Sequence, residues 1–470
     1  MKFNFRDKFF SRTILYTFGE FLVKGSKFLL IPFYTRVFTV EEFGILQQIL
    51  LVAAPLGFLI DFSTKESLLK LYFDYKKKNQ EKSLVGSLFI TILGIGFLVS
   101  LFAIISIFLG ITSFNNIDYS VFVLFIIGYL IFLALTNLGL TVMRVQNKVG
   151  IYALYAFFLT LFELLVIIYF VKFLSLGILG KFQASFLVAF IFFLLIYIVI
   201  LRRNINFTLN IDHIKNFFKF STPLTITNFM GWFIVSIDLF LINVYFGVRE
   251  LALYSLGVQI LQIYKTIAFG ILKSFNVVLF ENFELLKNSL NKIIFGYFSL
   301  FSLIVCFFIF FSKAIIFLIA TPNFIEAHTV IILLALSRML SSISLIFQYI
   351  IQKFEENKRI LLSFTISSIS LVFLSLFLIP EYKINGAAAS TTISQIILYF
   401  LLFFNATTLV KLEIDKKIIV PLLMIASAVL FNIGYFNFVS FTIFLLNLLF
   451  LLYLNIKNFG LYAKIFKNIN

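Results

Sequence analysis

The chain has 470 residues, of which 61% are hydrophobic and only 13% charged, and its mean hydropathy is +1.07. Soluble domains run at about 45–50% apolar and about 25% charged. A water-soluble enzyme is therefore excluded, and so is a nucleic-acid-binding domain, despite a formal charge of +17. A membrane helix takes about 20 residues, so fourteen of them use roughly 280, which nearly exhausts the apolar content. Outer-membrane strands would alternate in polarity over about ten residues, and the run Leu187–Leu201 does not alternate. The expected class is an all-α polytopic membrane protein.

Apolar runs read against breakers predict fourteen spans, with twelve as the alternative count if the last two segments are misread. The first six fall near 13–36, 43–62, 84–109, 120–142, 151–171 and 178–201. The next six fall near 221–246, 253–275, 293–319, 329–352, 361–380 and 387–409, and two more near 418–434 and 439–456. Pro32, Pro55 and Pro223 are expected to kink or break spans 1, 2 and 7. The basic N-terminus resembles a signal-peptide start, but Glu20, Lys24 and Lys27 do not suit a cleavable apolar core, so the first helix is expected to stay.

The connections alternate in charge. One set, with both termini, carries 27 of the 38 lysines and arginines; the other carries four, Lys172, Lys181, Arg249 and Lys383. By the positive-inside rule both termini are expected in the cytoplasm, which requires an even span count. Most of the positive charge then lies beside anionic lipid. No outward connection exceeds about a dozen residues, which leaves no room for the large external loop that a membrane glycosyl polymerase or ligase uses.

Three short matches recur at nearly one offset. Val40-Glu41-Glu42-Phe43-Gly44 pairs with Val248-Arg249-Glu250-Leu251-Ala252, Asn147-Lys148 with Asn357-Lys358, and Ile178-Leu179-Gly180 with Ile384-Asn385-Gly386. Their agreement predicts two six-helix halves in parallel orientation, residues 1–220 and 221–410, followed by two extra helices and a tail in 411–470. Parallel repeats are a common plan for secondary transporters.

Ionisable residues inside spans cost at least ~2.5–3.5 kcal/mol each and mark functional sites by default. Glu20, Lys24 and Lys27 share one face of span 1 at i, i+4 and i+7 spacing. Lys265 lies mid-span 8 and Arg338 in span 10; Glu163 and Asp238 lie in spans 5 and 7. Lys273, Lys313 and Arg36 sit where snorkelling to an interface accounts for them. Glu20 can neutralise one neighbouring lysine but not both. Glu163 and Asp238 remain open between charge pairing and ion coupling. Counting Lys24, Lys27, Lys265, Lys313 and Arg338 against Glu20, Glu163 and Asp238 leaves a cationic surplus, which suits an anionic, phosphate-bearing cargo. Cys306 is the single cysteine and His213 and His328 the two histidines, so no disulfide, metal or cofactor is expected. No phosphate loop appears, which speaks against an ATP-driven pump.

The stretch Gly25-Ser26-Lys27-Phe28-Leu29-Leu30-Ile31-Pro32-Phe33-Tyr34-Thr35-Arg36, followed by Val40-Glu41-Glu42-Phe43-Gly44, resembles the opening of bacterial polysaccharide flippases of the Wzx type. Pro380 through Ile384, with Gly386-Ala387-Ala388, resembles that family's approach to span 12. The family belongs to the MOP superfamily, with the MATE exporters and the lipid II flippase. The resemblance implies two six-helix bundles in a V and alternating access between leaflets. The cargo it implies is an undecaprenyl-pyrophosphate-linked oligosaccharide for O-antigen or capsule synthesis, moved outward across the inner membrane. By the same resemblance Lys24, Lys27 and Lys265 would hold the pyrophosphate, with lysines where arginine is often found, and Arg338 joins them as a candidate from its place inside span 10. Membrane lipids are expected partners, as are a polysaccharide polymerase and a chain-length regulator, and no nucleic acid. The rival readings are a cation-coupled MATE-type exporter, which the cationic surplus disfavours, and a membrane glycosyl polymerase or ligase.

Overall fold

A computed structural model describes residues 28–110, 113–114, 117–146, 148–207, 210–281 and 283–412, with 423–425, 428–429 and 448–449. Lys24, Lys27 and Glu20 lie outside the described residues, as do most of the two terminal spans. The described chain is a multi-pass helical membrane protein that divides into two compact units, Met1–Ser236 and Ile237–Asn470. Ten of its helices are long and apolar enough to cross a bilayer.

In the first unit a short apolar helix, α1 (Phe28–Val37), leads to α2 (Val40–Asp61). The repeated motif at Val40–Gly44 has a local cause. Thr39 caps α2: its hydroxyl accepts from the Glu42 N–H at 3.2 Å, and the Glu42 carboxylate accepts from the Thr39 N–H at 2.9 Å. This reciprocal pair satisfies two N–H groups that the helix start leaves open. Pro55 lies within α2 and does not end it. The helix stops instead at Phe62 and Ser63, both left-handed with φ of 44° and 52°. Non-glycine residues pay about 1–2 kcal/mol for that conformation. Ser63 is held there by Thr225, whose hydroxyl lies 3.0 Å from its own, and by Asn228, whose amide donates to it at 3.2 Å.

The basic stretch after that turn forms its own helix, α3 (Thr64–Lys77). Leu68, Tyr72 and Tyr75 are buried along one face, while Lys65, Phe73, Lys76 and Lys77 are exposed. Spans α4 (Glu81–Phe108) and α5 (Ser120–Val145) follow, separated by a two-residue antiparallel pair, β1 (Ser113–Phe114) with β2 (Ile117–Asp118). Next come α6 (Val149–Ile168), α7 (Gly177–Ile196) and the short α8 (Arg202–Asn204). α6 and α7 each widen into a π-helical turn at their C-terminal ends, Tyr169–Phe173 and Tyr197–Leu201. Ile60, Leu84, Leu88, Leu135, Leu138 and Ile196 pack into a shared core. Gly86 lets Asn206 approach so closely that a Cβ would sit 2.0 Å from its carbonyl oxygen.

Helix α9 (Ile211–Phe246) runs unbroken through Pro223, so this proline also is not a break. The second unit continues with α10 (Val248–Glu281) and the single turn α11 (Phe283–Leu286). Predicted span 9 is divided at Phe311 into α12 (Leu290–Phe310) and α13 (Ser312–Ile319). Then come α14 (Ala327–Lys353) and α15 (Asn357–Thr407). α14 is the most buried of the described spans. α15 is two spans: Lys383 at φ 51° folds it back on itself just after Pro380. Ser367 and Ser394, and Ser375 and Ser390, join its two arms by hydroxyl contacts of 3.1 and 3.0 Å. Gly386 closes the hairpin, since a Cβ there would lie 2.0 Å from the Leu378 carbonyl oxygen. At the lysine-poor ends of this unit, Arg249 pairs with Glu326 at 3.7 Å and Lys383 with Glu250 at 3.8 Å.

Phe97, Phe102, Phe108, Phe173 and Leu318 are largely exposed. Such a surface is untenable in water and ordinary in lipid, where helices meet their own backbone hydrogen-bond needs.

Candidate functional site

In the second unit α9 carries Asp238, whose carboxylate is buried at 6% exposure. One oxygen accepts from the Leu239 N–H at 2.8 Å. The other accepts from the hydroxyl of Tyr254 on α10 and, at 3.4 Å, from that of Thr391 on the second arm of α15. A buried carboxylate needs such donors, because an unpaired one would cost several kcal/mol or be forced to neutralise. Arg338 on α14 is half-buried and within electrostatic reach of Asp238. No ion-pair contact within 4 Å joins the two among the described residues. The guanidinium therefore balances the carboxylate's charge without occupying its oxygens.

Lys265 is half-buried on α10. It lies eleven residues beyond Tyr254, three turns and about 16 Å along the axis at nearly the same angular position. The face of α10 that supplies a donor to Asp238 thus also carries a cation. The structure leaves Arg338 within electrostatic reach of Asp238 but out of contact, and strings Lys265 along the same helix face as the carboxylate's tyrosine partner.

The first unit holds a separate polar cluster. Glu163 on α6 accepts from the Ser185 hydroxyl on α7 at 3.0 Å. Tyr34 on α1 and Tyr129 on α5 both feel its charge. Tyr34 is buried, and its hydroxyl finds no hydrogen-bond partner among the described residues. Lys181, assigned to an outward loop from the sequence, is instead inside α7 and only 8% exposed. Its ammonium lies 4.2 Å from the centre of the Phe182 ring and 5.8 Å from that of Tyr129. The aromatic faces offset part of the cost of burying that cation.

Sequence reasoning missed Lys181, Tyr34, Tyr129 and Tyr254. The signal for Lys181 was present, since it follows Gly180 inside the predicted limits of span 6. The tyrosines gave none, because a tyrosine in an apolar run reads as core. Among the described residues no group of three or more His, Cys, Asp or Glu stands together as a metal site.

Residues 10–277 match the family model described as polysaccharide biosynthesis protein. No curated protein matches the chain. Among solved structures, the chain resembles a lipid II flippase MurJ in an inward closed conformation, with a TM-score of 0.72 and 16% identity. That match covers 96% of this chain and 100% of the other. It also resembles an inward-facing multidrug resistance MATE family transporter of the MOP superfamily, with a TM-score of 0.65 and 13% identity over 83% and 95% of the two chains. A third likeness is to a MOP superfamily transporter from Pyrococcus furiosus, described by the reversed polarity of its binding pocket. Its TM-score is 0.58 and its identity 12%, over 85% and 96% of the two chains.

Proposed function

The chain belongs to the polysaccharide biosynthesis protein family and has the fold of MOP superfamily transporters, and from that premise we propose that it is a lipid-linked oligosaccharide flippase. The cargo is an undecaprenyl-pyrophosphate-linked repeat unit of O-antigen or capsule. It moves by alternating access from the cytoplasmic to the periplasmic leaflet of the inner membrane. Both termini lie in the cytoplasm, as the distribution of lysine and arginine suggests. A polysaccharide polymerase and a chain-length regulator act on what it delivers.

The observation that carries this reading is the family match over residues 10–277. Physical chemistry supports it. A pyrophosphate with several sugars cannot cross about 30 Å of hydrocarbon unaided, and a cationic surplus within the spans favours that head group over a cationic drug. Lys24, Lys27, Lys265 and Arg338 hold the pyrophosphate, the lysines as point charges and the arginine as a planar fork. Glu20 offsets one of the span 1 lysines.

Asp238 and Glu163 either pair with the cations inside the spans or couple a proton or sodium ion to the movement. Among the described residues Asp238 carries three donors and a distant arginine, whereas Glu163 has one serine donor and a nearby buried tyrosine hydroxyl without a partner there.

The test is deletion of the gene in its host, with surface polysaccharide and the lipid-linked unit in each leaflet quantified together. Loss of polymer with the complete unit accumulating on the cytoplasmic side supports translocation. Accumulation on the periplasmic side would make the protein a polymerase or ligase, and unchanged polymer would favour a MATE-type exporter.

A further inference from the structure

On the lysine-rich side of the first unit, α3 and the opening turns of α9 line an open cavity of about 400 Å³. Asp74, Tyr75, Lys78, Asn216, Lys219 and Phe220 line it. Its size falls within the ~300–1,000 Å³ of small-ligand clefts. None of these residues belongs to the clusters around Asp238 or Glu163.

The apolar and aromatic walls are held in place. Asn216 donates its amide hydrogen to the Tyr75 hydroxyl at 2.8 Å, and the His213 ring meets Tyr75 edge-on at 4.6 Å between centres. His213 is itself steadied by Ser83 and Gln80, each at 3.4 Å. The cations are arranged differently. Lys78 hangs over the Tyr75 ring at 5.7 Å, and Lys70 over the Phe220 ring at 4.6 Å. Lys219 completes the rim. No carboxylate lies within 4 Å of any of these ammonium groups among the described residues, although Asp74 lines the same cavity. Two lining cations, Lys78 and Lys219, with Lys70 beside them over Phe220, therefore face one lining acid, Asp74, around a fixed polar floor.

α3 also has the make-up of a helix lying in a membrane interface. Leu68, Tyr72 and Tyr75 turn inward, Phe73 is 52% exposed, and lysines flank it. Such a helix rests at the depth of lipid head groups, so the cavity opens where phosphates are. A phosphate brings the negative charge the rim lacks and takes hydrogen bonds from ammonium groups at any angle.

We propose that this cavity binds the phosphate end of a lipid from the leaflet it faces. Two lipids share that chemistry: a glycerophospholipid and an isoprenoid-linked pyrophosphate. The proposal rests on the position of α3 at the interface. It does not depend on the transport reading, because binding is measured without turnover.

The experiment uses the purified full chain, with phosphatidylglycerol binding followed by native mass spectrometry. The double variant Lys78→Gln with Lys219→Gln should weaken binding about tenfold or more. The double variant Lys76→Gln with Lys77→Gln removes the same charge from exposed positions outside the cavity and should leave binding unchanged. Equal losses in the two doubles, or none in the first, would overturn the proposal. Should the first double unfold at a lower temperature than wild type, the single exposed change Lys219→Gln carries the comparison. Farnesyl pyrophosphate and inorganic pyrophosphate then compete against the bound lipid. Displacement by farnesyl pyrophosphate alone assigns the site to isoprenoid pyrophosphates, and resistance to both assigns it to glycerophospholipid. Equal displacement by inorganic pyrophosphate would mean a site for soluble anions and would refute the lipid assignment.

Discussion

Tyr254 donates its hydroxyl hydrogen to the buried carboxylate of Asp238, sixteen residues earlier and on the preceding helix. The tyrosine is itself fully buried. Both groups have left water, so each depends on the other. Hydrogen bonds to a charged group contribute about 1.5–3 kcal/mol. Tyr254→Phe should therefore lower the stability of the detergent-solubilised protein by about 1–3 kcal/mol, read as a lower thermal midpoint. Thr391→Val, at the longer contact of 3.4 Å, should cost less. A midpoint in Tyr254→Phe equal to wild type would mean the bond carries no net stability.

The same logic applies to Glu163 and Ser185, in contact at 3.0 Å across α6 and α7. A double-mutant cycle with Glu163→Gln and Ser185→Ala should return a coupling energy of about 1–2 kcal/mol. If Glu163 couples an ion, Glu163→Gln should also abolish the response of transport to a proton or sodium gradient, while Ser185→Ala only reduces it. Unaltered gradient dependence in Glu163→Gln would leave the carboxylate with a charge-pairing role.

Transport should fail differently at the cationic positions. Lys265→Ala and Lys24→Ala are expected to reduce surface polysaccharide at least tenfold with protein level unchanged, the scale on which loss of a charged ligand contact is felt. Arg338→Lys should also be impaired, because a point charge does not replace the planar fork. Wild-type export in all three would refute the pyrophosphate assignment.

Glycine positions give a test of packing free of any functional assumption. Gly386→Ala forces a Cβ to 2.0 Å from the Leu378 carbonyl oxygen, whereas a Cβ at Gly94 meets nothing within 4 Å. Overpacking of this kind costs about 1–3 kcal/mol, and Gly386→Ala should elute partly aggregated on size exclusion. Gly94→Ala should be neutral or stabilising by about 0.5–1 kcal/mol, since alanine loses less backbone freedom in a helix. The opposite ranking would show that the two arms of α15 are not closely packed at Gly386.

At the start of α2, Thr39→Ala removes the hydroxyl that receives the Glu42 N–H. A loss of about 0.5–2 kcal/mol is expected, and Thr39→Ser should restore most of it because serine supplies the same oxygen. A serine variant no better than alanine would show that packing at Thr39, and not the cap, sets its contribution.

The sequence by itself determined the class of protein, its described spans and the likeness to its family. Partition into a bilayer depends on composition summed over about 20 consecutive residues, so it is written along the chain and can be read there. The Val40–Gly44 motif was legible as a repeated stretch, and the structure added its cause, the Thr39–Glu42 cap. The tertiary structure decided which charge meets which group. Asp238 meets Thr391, 153 positions away, and nothing in the local pattern of either announces the other. It also moved Lys181 from a loop to a buried place beside aromatic rings and turned the basic stretch after Ser63 into a separate helix. It kept Pro55 and Pro223 inside helices they do not break, while the reversal at Lys383 falls in the connection the sequence already placed between spans 11 and 12. Within a membrane all helices look alike to hydrophobicity. Only their packing settles where a buried charge finds its donors and where a proline can stay within an intact helix.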